Sequence, residues 1–221
     1  MTVQTLWHSC SAVLFDFDGV LADSEPFYRK TWNTVLERYG HTVSEGDYWK
    51  YWSFLGEGLE GEIERHGLRI PSTSQARSLQ KRLYKEYCLS GQIPLFPRAS
   101  RVLQMTRACK TCAIASNTDA ELVAAILSSA GGPDLPVIGG NGLRPKPFPD
   151  VFLKAAATLG VPPGNCLVLE DAMKGIKAGS SAGMPVILVR NRYNSGLDAS
   201  GVACEISGLN ELFDFLWGLQ C

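Results

Sequence analysis

The chain has no uninterrupted apolar run of about 18 residues, no long run of Lys or Arg, and only three histidines. Each shortage removes a class of function. Without the apolar run no membrane-spanning helix is expected. The opening MTVQTLWHSC has neither the charged start nor the apolar centre of a secretory signal, so the expected location is the cytoplasm. A net charge of −1 with no basic cluster leaves no electrostatic footprint for nucleic acid or for an anionic membrane. His8, His41 and His66 show no ligand spacing and are expected to be surface or packing residues. Seven scattered cysteines (Cys10, Cys88, Cys109, Cys112, Cys166, Cys204 and Cys221), an odd number, are expected to be reduced thiols. The one C-x-x-C, Cys109 and Cys112, neither opens a helix nor has a matching second pair, so it reads as ordinary packing.

What the chain does have is enough apolar content, 45% of 221 residues, to bury a core in one large domain or two smaller ones. Its most informative stretch is AVLFDFDGVLADSEP at 12–26. Four apolar residues form a strand of the kind covered on both faces, and Asp16 and Asp18 follow at its carboxyl end, where open α/β sheets place their active sites. Alternation puts both carboxylates on one side, and Gly19 lets the backbone turn. Two carboxylates there suit a nucleophile held beside a cation, with a second group trading protons. The plain alternative is a turn that caps the next helix, and D-x-D-G alone does not decide between them.

Strand and helix patterns then alternate. Strands are expected at 112–115, near Val137, at 166–169, 186–189 and 203–206, with helices at 25–39, 120–130, 149–159, 172–182 and 209–217. Residues 44–87 hold no convincing strand. They read as helices broken near Gly56, Gly58, Gly67 and Pro71, rich in the aromatics Tyr48, Trp49, Tyr51, Trp52 and Phe54. The expected fold is α/β: a Rossmann-like, doubly wound parallel sheet, with a small all-helical cap inserted after the first strand. The expected division is a core of residues 1–24 and 91–221 and a cap of 25–90.

Three further segments bring matching chemistry to the same edge. The strand 112–115 ends in Ser116 and Asn117, a hydroxyl and an amide before a helix, suited to cradling phosphate or simply to capping. Lys146 is framed by Pro145 and Pro147 in RPKPFPDVF, a rigid presentation that could neutralise phosphate and nucleophile together. The strand 166–169 delivers Glu170 and Asp171. Four carboxylates at one edge call for a metal, and hard oxygen donors favour Mg²⁺.

Together DFDGVLADSEP, ASNTD, KPFPDVFLKAAATLG and LVLEDAMKGIKAGSSAGMPVI resemble, in order and spacing, the haloacid dehalogenase-like phosphohydrolases. The similarity is to their helical-cap subgroup, in the β-phosphoglucomutase and sugar phosphatase branch. The resemblance implies Asp16 as a nucleophile that becomes an aspartyl phosphate and Asp18 as general acid and base. It implies phosphate binding by Ser116 and Lys146, with a further contact from Asn117. Mg²⁺ would be held by Asp16, the main-chain carbonyl of Asp18, Asp171 and Glu170, the last directly or through one water. A cap closing over the site would choose the leaving group, with Trp49, Lys50, Trp52, Glu57 and Arg65 as candidate specificity residues; the aromatics equally suit the cap's own core.

Two departures separate this chain from the mutases of that branch. Phe27, Tyr28 and Arg29 stand where those carry a histidine, and Gly56-Glu57-Gly58-Leu59 lacks their arginine. Both favour hydrolysis. Pro145 replaces a usual glycine, so the lysine loop is expected to sit differently. The expected function is therefore a Mg²⁺-dependent phosphatase of a small phosphorylated metabolite, a sugar or polyol phosphate. The alternatives are a hexose phosphate mutase and a non-catalytic binder of a phosphorylated ligand, the latter disfavoured by intact Asp16, Asp18, Lys146 and Asp171. A monomer is the default at this size.

Overall fold

The computed structural model describes residues 1–219, apart from the side chain of Phe54; Cys221 lies outside the described residues. A helix α1 (Val3–Ser9) leads into β1 (Ala12–Phe15). All-helical structure follows: α2 (Glu25–Leu36), a short α3 (Glu45–Asp47), a π-helical stretch Tyr48–Phe54, α4 (Gly58–His66) and α5 (Thr73–Leu89). The chain then alternates: α6 (Ala99–Cys109), β2 (Thr111–Ala115), α7 (Ala120–Ser129), β3 (Val137–Ile138), α8 (Asp150–Leu159), β4 (Cys166–Glu170), α9 (Met173–Ser181), β5 (Val186–Val189), β6 (Cys204–Ile206) and α10 (Leu209–Gly218).

Among the described residues, six strands form one parallel sheet in the order β3-β2-β1-β4-β5-β6. Every β1 residue is buried because the sheet is covered on both sides. Val13 and Phe15 pack with β4's Leu167 and Leu169 beneath α1, α6, α7 and α10. Ala12 and Leu14 pack with Val168 beneath α8 and α9. Period-two alternation thus feeds two cores from one strand, and β1 sits where the strand order reverses, the usual place for a ligand crevice.

Helices α2, α4 and α5 share a third apolar cluster, which includes Trp32, Leu36, Tyr48, Leu59 and Ala76. The chain enters and leaves this segment side by side: Asp23 N–H donates to Pro94 O at 2.9 Å, and Phe96 N–H to Leu21 O at 2.8 Å. Gly67, at φ 60°, ends α4, as the sequence suggested.

One expectation needs correction. Cys109 is disulfide-bonded rather than reduced; Cys112 is free and buried, so the C-x-x-C does not close on itself. His41 and His66, far apart in sequence, meet on Glu62. No helix among the described residues is long and apolar enough to cross a membrane.

Candidate active site

Register builds the site. Phe15 pairs with Ile114 on one side and Leu169 on the other, so the residues leaving β1, β2 and β4 emerge together. Asp16 N–H donates to Leu169 O at 2.9 Å, which fixes Asp16 beside Glu170.

Lys146 joins them. Its Nζ donates to Asp16 Oδ1 at 2.6 Å, Glu170 Oε1 at 2.7 Å and Ala115 O at 3.0 Å, over the face of Phe152 at 4.5 Å. Burial alone would depress this ammonium, but the charges of Asp16 and Glu170 and their hydrogen bonds outweigh it and hold Lys146 above the ordinary lysine range. The proline frame therefore does not divert the lysine. Its backbone is anchored by Asn117, whose Oδ1 accepts the Lys146 N–H at 2.9 Å.

The acidic pair after β4 is held as tightly. Glu170 Oε2 accepts the N–H groups of Asp171 and Ala172 at 2.9 and 3.0 Å, in front of α9. Asp171 Oδ2 accepts Asn191 Nδ2–H at 2.9 Å, and the same amide donates to Gly19 O at 2.8 Å. Two glycines make room for these carboxylates: a Cβ on Gly175 would lie 1.6 Å from Glu170 Oε1, and one on Gly19 2.0 Å from Asp171 Oδ2. Carboxylate oxygens of Asp16, Glu170 and Asp171 all fall within 4.8 Å of one another. Burial, reinforced by the charge of Glu170, raises Asp16 to about 7, and the same two causes lift Asp171 well above the carboxylate range. Three buried carboxylates against one ammonium leave negative charge to be balanced, and hard oxygen donors fit a divalent cation such as Mg²⁺.

Asp18 faces a ring of hydroxyls. Ser24 donates to Oδ1 at 2.6 Å and Tyr84 to the same oxygen at 3.2 Å; Ser116 and Thr118 donate to Oδ2 at 3.1 and 2.8 Å. Ser116 also accepts the Thr118 N–H at 2.9 Å, and α7 has no side-chain cap, so the SNTD run is not spent on capping.

These groups floor a cavity of about 590 Å³, walled on its far side by Trp52, Arg77, Gln80, Lys81 and Lys85 of the helical segment. All seven site residues singled out in the sequence line it. Of the five specificity candidates only Trp52 does. Lys50 is exposed, Glu57 and Arg65 pair with each other elsewhere, and Trp49 stacks on Tyr193 at 4.0 Å. Ser24, Tyr84, Thr118 and Asn191 were missed; the first and third lie inside motifs that were read, while Tyr84 and Asn191 carry no local signal.

A parallel sheet that delivers paired carboxylates and a buried lysine to its carboxyl edge, beneath a helical insertion, is a Rossmann-like α/β architecture with an acidic site at its switch point. The chain belongs to the haloacid dehalogenase-like hydrolases, whose family profile matches residues 10–183. It is 30% identical over 220 residues to Protein CbbY of Rhodobacter capsulatus, covering 90% of this chain and 93% of that one. It is 27% identical over 196 residues to fructose-1-phosphate phosphatase YqaB of Escherichia coli, covering 84% and 99%. The fold matches a crystal structure of CbbY from Rhodobacter sphaeroides in complex with phosphate, with a TM-score of 0.77, 24% identity and coverage of 92% and 96%.

Proposed function

We propose that the protein is a Mg²⁺-dependent phosphatase that hydrolyses a small phosphorylated metabolite, a sugar or polyol phosphate, through an aspartyl phosphate on Asp16. The observation that carries this reading is the buried array of Asp16, Lys146, Glu170 and Asp171 at the floor of a cavity whose opposite wall is basic. A volume near 590 Å³ suits a metabolite-sized ligand. Lys81, with Arg77 and Lys85, which pair with Glu60 and Glu121, adds cations to the lining, and the name of the fructose-1-phosphate phosphatase relative likewise favours an anionic ligand.

Asp16, Glu170 and Asp171, with the main-chain carbonyl of Asp18, would hold Mg²⁺, which when bound adds positive charge beside the phosphoryl oxygens. The Asp16 carboxylate attacks phosphorus, and the bond from phosphorus to the leaving oxygen breaks. Asp18 gives that oxygen a proton, then takes one from the water that attacks the aspartyl phosphate, releasing phosphate and restoring Asp16. Lys146 offsets charge on Asp16 and the incoming phosphate, Ser116 offers its hydroxyl to a phosphoryl oxygen, and Asn117 keeps the lysine loop in place. The helical segment 25–90 acts as the cap that excludes bulk water.

The test is phosphate release from a panel of sugar and polyol phosphates, with Mg²⁺ and with chelator. Release that needs metal supports the reading. Interconversion of hexose phosphate isomers on addition of a bisphosphate, without free phosphate, would make the protein a mutase instead.

A further inference from the structure

Away from the sheet edge, the helical segment gathers a second set of ligating side chains. Glu62 and His66 lie four residues apart on α4 and share one face of it. His41 approaches from the loop after α2. Its Nε2 is 2.7 Å from Glu62 Oε1, and His66 Nε2 is 3.4 Å from the same oxygen. The two rings lie 4.6 Å apart between centroids, and the three ligand atoms fall within 4.8 Å of one another. Glu62 is 1% exposed, whereas the His66 side chain is 44% exposed, so the cluster is anchored inside and open outside.

The outer contacts select one geometry. Glu62 Oε2 is taken by Trp52 Nε1–H at 2.8 Å and by the Arg65 guanidinium, which leaves Oε1 alone to face both imidazoles. Partners that fix a carboxylate in this way are what metal ligands use to hold their orientation. Two N or O ligands each about 2.1 Å from a tetrahedral ion stand roughly 3.4 Å apart, which matches the His66 to Glu62 separation of 3.4 Å and asks His41, now at 2.7 Å, to withdraw by about 0.7 Å. Two imidazoles and one carboxylate, with a fourth position facing solvent, suit a borderline transition ion and not Mg²⁺, which prefers an all-oxygen shell.

We infer that His41, Glu62 and His66 bind a divalent transition-metal ion, with Zn²⁺ the expected occupant, at a site separate from the acidic cluster. The ion ties the loop after α2 to α4. Because Trp52 both bonds Glu62 and lines the large cavity, the ion also steadies that cavity wall.

The test uses the full-length protein stripped with chelator and titrated with Co²⁺ as a spectroscopic probe. The expected result is one visible d–d band characteristic of four-coordinate Co²⁺, saturating at one ion per chain and abolished by Zn²⁺. His66→Gln and His41→Gln should each weaken binding at least about 10-fold, the loss seen even for an outer partner, and Asp16→Asn should leave the band unchanged. His66 is half exposed, so its variant keeps the fold, checked by an unaltered circular dichroism spectrum. No band, a band indifferent to His66→Gln, a band lost in Asp16→Asn, or a thiolate charge-transfer band placing the ion on cysteine would each overturn the inference.

Discussion

The ammonium of Lys146 is bonded to the carboxylate of Asp16 at 2.6 Å across 130 residues of chain. The same nitrogen reaches Glu170 at 2.7 Å, so one cation holds the ends of β1 and β4 together.

Lys146→Ala should therefore act on stability and turnover at once. Removing one partner of a buried ion pair typically costs about 3 kcal/mol, and here it leaves three carboxylates facing one another. In chelator the unfolding midpoint should drop, with Mg²⁺ recovering part of the loss, while turnover falls by roughly 10²-fold or more. Denaturation with and without Mg²⁺, beside steady-state rates, checks both halves.

Asp18→Asn should separate proton transfer from metal binding. The side chain of Asp18 is held by four hydroxyl donors and is not part of the acidic cluster. Turnover should fall by about 10²-fold or more, with Mg²⁺ affinity from calorimetry within a few-fold of the unmodified protein.

Gly175→Ala should disturb Glu170 without touching any charge. The added methyl would lie 1.6 Å from Oε1, which Lys146 pins, on a carboxylate whose Oε2 is held by two backbone N–H groups. The expected loss is about 1–3 kcal/mol of stability and roughly 10-fold in Mg²⁺ affinity, read by thermal unfolding and calorimetry.

Acidity and metal should compete. Asp16 is raised from 3.8 to about 7 by burial and by Glu170, so without metal the folded state favours its protonated form. The sign follows: this group's contribution to stability is fully present below about pH 4 and is lost as pH rises through about 7. Binding a cation removes that proton, so apparent Mg²⁺ affinity should climb as pH rises through about 7. Thermal shift at fixed Mg²⁺ across that range measures it.

Much of this was legible because it is local. The apolar runs at 12–15, 112–115, 166–169 and 186–189 lie in strands, since a sheet covered on both faces needs no polar alternation. Each motif sits where its strand ends, so Asp16, Asp18, Ser116, Glu170 and Asp171 converge by register alone. The helical segment was harder. Lys50, Glu57 and Arg65 were candidates by position alone, with no spacing to say which side chains line the cavity, and of these Lys50 lies in the π-helical stretch Tyr48–Phe54. Tyr84 and Asn191 reach the site only through tertiary packing, 66 residues from Asp18 and 20 from Asp171. His41 and Glu62 meet across 21 residues for the same reason.

The most direct test of the account is to trap the covalent intermediate. Protein turning over a hydrolysable phosphate ester with Mg²⁺ is quenched in acid, and the peptide bearing Asp16 is weighed by mass spectrometry. The account predicts the added mass of one phosphoryl group on Asp16 and none in Asp16→Asn, which should also release no phosphate. Sustained turnover with Asp16 unmodified, or release by Asp16→Asn at the unmodified rate, would contradict it.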